Sequence, residues 1–218
     1  MINNLYIPFD VSYDLNYIFL LQDLIKNNND VIMGNSVIES TYGTFPGAIW
    51  NGGRTFANTE EMDLLDIENY ITQLNNNNIG FRATFTNSLL TSEHLNNQYC
   101  NNILNIINNG YPNNEIIVAS NLLEDYLLSK YPNLSLVSSI TKGNDFSTFK
   151  TAYDKNIYRM IVIYPKKNIL DYIRLNIPLQ ERNKFEILLN SGCAYCKQSN
   201  QHYYIESYNN LYKDNPIS

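Results

Sequence analysis

The chain alternates short runs of β-branched and aromatic residues with longer segments whose apolar positions recur at helical period. "LYIPFD" (5–10) reads as a first strand. "YDLNYIFLLQDLIKN" (13–27) follows with Leu15, Phe19, Leu20, Leu24 and Ile25 spaced along a helix. A second strand is expected within 30–40. "TEEMDLLDIENYITQLN" (59–75) predicts a helix with Thr59 as N-cap, acidic residues in its first turn and Leu64, Leu65, Ile67 and Ile71 as its apolar positions. "IGFRATFT" (79–86) is a third strand, and Thr91 or Ser92 is expected to cap a helix over 92–109. Strands over 114–120 and 134–140 bracket a helix at 121–132 that Pro132 stops. Strands over 158–165 and 185–192 bracket a short helix, "NILDYIRLNIP", ended by Pro178. The tail segment "HYYIESYNNLYK" reads as a last helix and offers no eighth strand.

Strands that are near-continuous runs of Val, Ile and Leu are buried on both faces, as in a parallel sheet covered by helices. The class is therefore α/β. Units of roughly 25 to 35 residues, about seven of them, suit a TIM-type (β/α) barrel better than an open sheet of five or six strands, although the usual barrel has eight. The expectation is an incomplete barrel, open on one side or closed by a partner chain, forming a single domain over residues 1–218.

Composition narrows the picture. With 44% hydrophobic residues and no long Gly, Ser or Pro tract, 218 residues suffice for one sizeable core. The net charge of -6 and pI near 4.9 come without acidic blocks and argue against a broad electrostatic grip on nucleic acid. "MINNLYIPFD" lacks a basic leader, and no apolar run approaches the roughly 18 to 20 residues of a membrane span, which predicts a cytoplasmic protein without membrane contact. Three cysteines do not suggest a disulfide framework and fit a reduced compartment.

In barrels and open α/β sheets the ligand site lies beyond the carboxyl ends of the strands. The polar residues expected there are Asp10, Glu39, Ser40, Thr86, Asn87, Ser120, Asn121, Ser138, Ser139, Thr141, Tyr164, Lys166, Asn190 and Ser191. The loop after the second strand, "YGTFPGAIWNGGR" (42–54), holds the only Trp of the chain and a Gly52-Gly53 pair. Trp50 there either walls a pocket or packs under the barrel rim, and Arg54 either grips a carboxylate or phosphate in bidentate fashion or is solvated. The candidate substrate-binding set is Tyr42, Trp50, Asn51, Gly52, Gly53, Arg54 and Asn190, and the candidate catalytic set is Asp10, Glu39 and Asn87. With two histidines in the chain, Asp10 and Glu39 are the first carboxylates to consider for proton transfer. Cys193 and Cys196 form a C-x-x-C with His202 six residues on, which reads as a zinc or iron–sulfur ligand set, as a redox dithiol, or as ordinary reduced cysteines. No G-x-S-x-G, P-loop or G-x-G-x-x-G motif occurs where its chemistry would need it.

The order of "YGTFPGAIWNGGR", "RATFTNSLLTSEHL" (82–95) and "EILLNSGCAYCKQSNQHY" (186–203) resembles that of bacterial and phage proteins distantly related to the U32 peptidase family. The resemblance spans most of the chain and implies a TIM barrel. Several U32-like proteins are implicated in oxygen-independent hydroxylation of tRNA, rRNA or a quinone precursor, with four cysteines around an iron–sulfur cluster. Carried over by residue, this implies cluster ligation by Cys193 and Cys196 only, in a chain with three cysteines in all. The resulting expectation is an enzyme, or an enzyme subunit, acting on a polar, anionic small molecule. The competing expectation is a non-catalytic module that docks a partner chain or a second copy through its open barrel edge and Tyr-rich tail (203–212).

Overall fold

The computed structural model describes residues 3–9, 11, 14–28, 35–53, 60–110, 112–142, 145–188 and 201–216. Seven strands, β1 (Asn3–Pro8), β2 (Ser36–Gly43), β3 (Gly80–Phe85), β4 (Glu115–Val118), β5 (Ser135–Ser138), β6 (Met160–Ile163) and β7 (Phe185–Ile187), pair in sequence order, every neighbour parallel. Helices α1 (Asn16–Asn27), α2 (Leu64–Asn76), α3 (Gln98–Asn108), α4 (Asn121–Lys130), α5 (Phe146–Lys155) and α6 (Lys167–Asn176) fill the crossovers, and α7 (Gln201–Leu211) follows the last strand.

The sheet is curled. Arg82 on β3 donates to Glu186 on β7 at 2.5 Å, and its guanidinium lies 3.8 Å from the centroid of the Tyr6 ring on β1. In a flat sheet, strands four places apart would be separated by about 19 Å, so these contacts must cross the interior of a half-barrel. Among the described residues no strand joins β7 to β1, and the barrel is open at that seam.

The curl divides the core by residue parity along each strand. One set, including Phe81, Ala83, Phe85, Ile116, Val118, Leu136, Ile161 and Ile163, faces the helices and meets Ile18, Ile67, Ile71, Leu104, Leu127 and Phe149. The alternate set faces the axis, where Ile117, Val137, Met160 and Val162 pack with Tyr6, Tyr42, Ile140 and Leu188. Near-continuous apolar strands are what such two-sided burial requires.

Several local expectations are corrected. The second strand runs on to Gly43, so Glu39 and Ser40 lie inside it, at the irregularity opposite Leu5 and Tyr6, rather than at its end. Helix α2 begins at Leu64 with Asp63 as its cap, the carboxylate accepting from the Leu65 N–H, while Thr59 lies outside the described residues. The segment 92–109 is not one helix: a turn of 3-10 helix at His94–Asn96 precedes α3, whose cap is Asn97, accepting from Cys100 N–H. Helix α5 has no counterpart among the elements that the sequence pattern predicts. Its signal is a capping box in which Asp145 accepts from Thr148 N–H and the Thr148 hydroxyl from Asp145 N–H. Ser120 caps α4, accepting from the Leu123 N–H, which accounts for its polarity, and Lys166 stands at the N-cap position of α6 without a side-chain capping bond.

Candidate functional site

The amino half of the barrel interior is charged. Glu115, the first residue of β4, accepts from Arg82 Nε at 2.7 Å and from Arg159 Nη2 at 2.6 Å, with Arg159 immediately preceding β6. Arg82 is fully buried and also lies 3.5 Å from the Met160 sulfur. Arg159 Nη1 reaches Glu39 at 3.8 Å, so the structure draws this candidate carboxylate into an ion network and not toward a strand end. Burial pushes the Glu186 carboxyl up and the nearby Arg82 pulls it down. The net direction is upward, because burial outweighs the pull of Arg82 and the neighbouring Glu115 charge adds to it. The hydrogen bonds to Glu115 hold Arg159 firmly cationic.

The carboxyl half differs. Its described axis-facing side chains are Tyr42, Thr84, Ile117, Ser139, Val162, Tyr164 and Leu188, none of them charged. Thr84 donates to the Gly43 carbonyl at 2.9 Å, and Ser139 accepts from the Thr141 hydroxyl at 3.1 Å.

Over β2 and β3 the loop 44–53 folds back onto the barrel. Trp50 is fully buried, its indole N–H donating to the His94 carbonyl at 2.9 Å and its ring set edge-on to Phe85 and Tyr126. It packs under the rim, the second of the two readings the sequence allowed. The Gly52 carbonyl accepts from the Thr86 hydroxyl at 2.5 Å, and a Cβ on Gly52 would stand 2.5 Å from the Thr86 carbonyl oxygen, so only glycine passes there. Gly53 has φ +84° and carries the Tyr203 ring where a side chain would be.

Asn87 ties three segments together. Its Nδ2 donates to the carbonyls of Ile49 and Ser207 at 2.9 and 3.0 Å, its Oδ1 accepts from Leu89 N–H, and its own N–H donates to Trp50. A side chain so engaged, and 0% exposed, positions its neighbours. Asn51 is likewise buried, with Nδ2 donating to Phe45 and its carbonyl accepting from Asn210 on α7 at 3.0 Å.

Asp10, Arg54, Asn190, Cys193 and Cys196 lie outside the described residues. His202 sits at the start of α7 with its ring 4.1 Å from that of Tyr203, and burial lowers its pKa. Cys100 is enclosed on α3, and burial pushes its thiol up to about 12, which keeps it protonated and unsuited to ligation. Among the described residues no three His, Cys, Asp or Glu side chains converge. They therefore do not form a ligand set for zinc or an iron–sulfur cluster.

Sequence reading missed Arg82, Glu115, Arg159 and Glu186. Their signal was a charge placed within an otherwise apolar strand, as in "GFRATF" and "EIIV", where a buried charge demands a partner.

No protein-family model and no curated protein matches the chain. A search of solved structures finds the U32 peptidase Mk0906, superposing with a TM-score of 0.56 at 13% identity over 100% of this chain and 80% of that one. The half-barrel of seven parallel βα units is thus similar in fold to a U32 peptidase structure.

Proposed function

We propose that the chain is a barrel-fold enzyme, or the barrel subunit of one, that takes a polar, anionic small molecule at the carboxyl ends of its strands. The observation that carries this reading is the asymmetry of the interior. Charges in the amino half satisfy one another, while the carboxyl half presents hydroxyls above an apolar floor. In such a low-dielectric mouth a single guanidinium from the flanking loop binds an anion far more strongly than it would in water. Arg54 follows directly on the glycine pair that anchors its loop to Thr86 and Tyr203, and is the residue proposed for this grip. Asp10, two residues past β1, is proposed to move the proton. Glu39 and Asn87 support the fold in this reading.

Thermal-shift and calorimetric screening with carboxylates and phosphate esters tests the proposal. Arg54→Ala is expected to weaken binding of a positive compound by at least about tenfold, or roughly 1.4 kcal/mol. Asp10→Asn is expected to retain binding and lose turnover. Unchanged affinity in Arg54→Ala would sink the reading. Metal analysis of anaerobically purified protein and of Cys193→Ser tests the iron–sulfur alternative separately.

A second reading, a docking module, is favoured by the surface of α7. Its inner positions hold the barrel, while Tyr204, Tyr208 and Tyr212 form a row of mutually tilted rings, 6.4 and 4.6 Å between successive centroids, with Tyr204 and Tyr212 exposed. The edges of β1 and β7, which pair with no further strand among the described residues, add a template for another chain. Light scattering on a size-exclusion eluate that gives one monomeric mass at every concentration would count against association with a second copy.

A further inference from the structure

The junction between the Asn51-Gly52-Gly53 turn and α7 buries three side-chain oxygens that have no hydrogen-bond partner: Asn51 Oδ1, Ser207 Oγ and Glu206 Oε2. Asn51 and Ser207 are 1% and 0% exposed. The amide orientation of Asn51 is not arbitrary, because its Nδ2 donates at 2.6 Å to the Phe45 carbonyl, which can only accept. Its Oδ1 is therefore the end left unsatisfied.

Asn51 and Ser207 belong to one contact, and Glu206 adjoins Ser207 on α7. Asn210 Nδ2 donates to the Asn51 carbonyl, the Ser207 carbonyl accepts from Asn87, and the Tyr203 ring packs on Gly53. Residue 206 stands three after Tyr203 and four before Asn210, so helical spacing sets it between the two side chains that touch the turn. Burying acceptors without donors is costly, and native structures avoid it unless something else supplies the missing contacts.

We infer that this junction binds a monovalent cation through the Glu206 carboxylate, the Asn51 side-chain carbonyl and the Ser207 hydroxyl. The donor set is all oxygen, which disfavours zinc and other metals that prefer thiolate or imidazole. It carries one carboxylate, whereas divalent cations of the calcium type are usually held by several. A bound ion would fasten α7 to the loop that precedes Arg54, and so stiffen the base of that loop.

The test is thermal unfolding of the full chain exchanged into tetramethylammonium chloride, then titrated with potassium or sodium chloride at constant ionic strength. The expected result is a saturable rise in Tm of several degrees with at least one of the two ions. Glu206→Gln, which keeps the side-chain shape, is expected to abolish the response, and Ser207→Ala to raise the half-saturating concentration several-fold. Identical melting in all three salts would overturn the site. So would an undiminished response in Glu206→Gln, or a response to divalent ions only.

Discussion

The two ends of the half-barrel are held together by different chemistry. At the amino end Arg82, Arg159, Glu115, Glu186 and Glu39 form an ion-paired web spanning strands β2 to β7, buried at Arg82 and Glu115 and open to solvent at Arg159. At the carboxyl end the 44–53 loop, the end of β3 and α7 are joined by neutral hydrogen bonds from Trp50, Thr86, Asn87 and Asn210, with two glycines allowing the close approach. A charge web is unforgiving: removing one member strands the others in a medium that cannot solvate them. A neutral clasp yields by degrees. Chemistry that needs loops to adjust around a ligand is better served by the second kind of end.

The largest expected effect comes from breaking the web. Arg82→Ala should destabilise the protein by about 3–5 kcal/mol, since Glu115 and Glu186 both lose a buried partner. Chemical denaturation measures this, and a loss below about 1 kcal/mol would mean that the web is dispensable. Next is Asn87→Ala, which deletes three side-chain hydrogen bonds and should cost about 2–3 kcal/mol. Unlike the Arg82 change, it should also accelerate amide exchange in α7.

Gly53→Ala is smaller, about 1–2 kcal/mol, from a left-handed backbone and a methyl group set against Tyr203. Its signature is local: amides of 203–211 should exchange faster while those of β4 keep their protection. The smallest effect separates the ends by pH. Because the native pKa of Glu186 is raised, the folded state holds its proton more tightly than the unfolded state. Its contribution to stability is full below the ordinary glutamate range and is lost as pH rises through the raised native value. Glu186→Gln should flatten that slope in denaturant midpoints taken across mildly acidic pH. Asn87→Ala should leave it unchanged.

Much of this architecture is legible in the chain. Apolar runs such as "EIIV" and "MIVI" could only be strands buried on both faces, and periodic segments such as 64–76 could only be helices covering them. The fold class and the unfinished barrel follow from that alternation. Cap positions were read less well, because Thr59, Asp63, Thr91 and Asn97 are all competent caps and the choice depends on where packing lets each helix begin. Helix α5 escaped notice because its apolar face is short, with Phe149 and Ala152 as its buried residues.

Sequence by itself determined the element types, the parallel sheet and the candidate loop around Trp50, since periodicity and glycine placement are properties of neighbouring residues. Tertiary structure alone decided that Arg82 meets Glu186 across the barrel, that Asn87 holds α7, and that Trp50 is enclosed. Those facts depend on how far the sheet curls and where the last helix returns. Curl and return are set by packing between segments as far apart in the chain as residues 82 and 186, which no local pattern encodes.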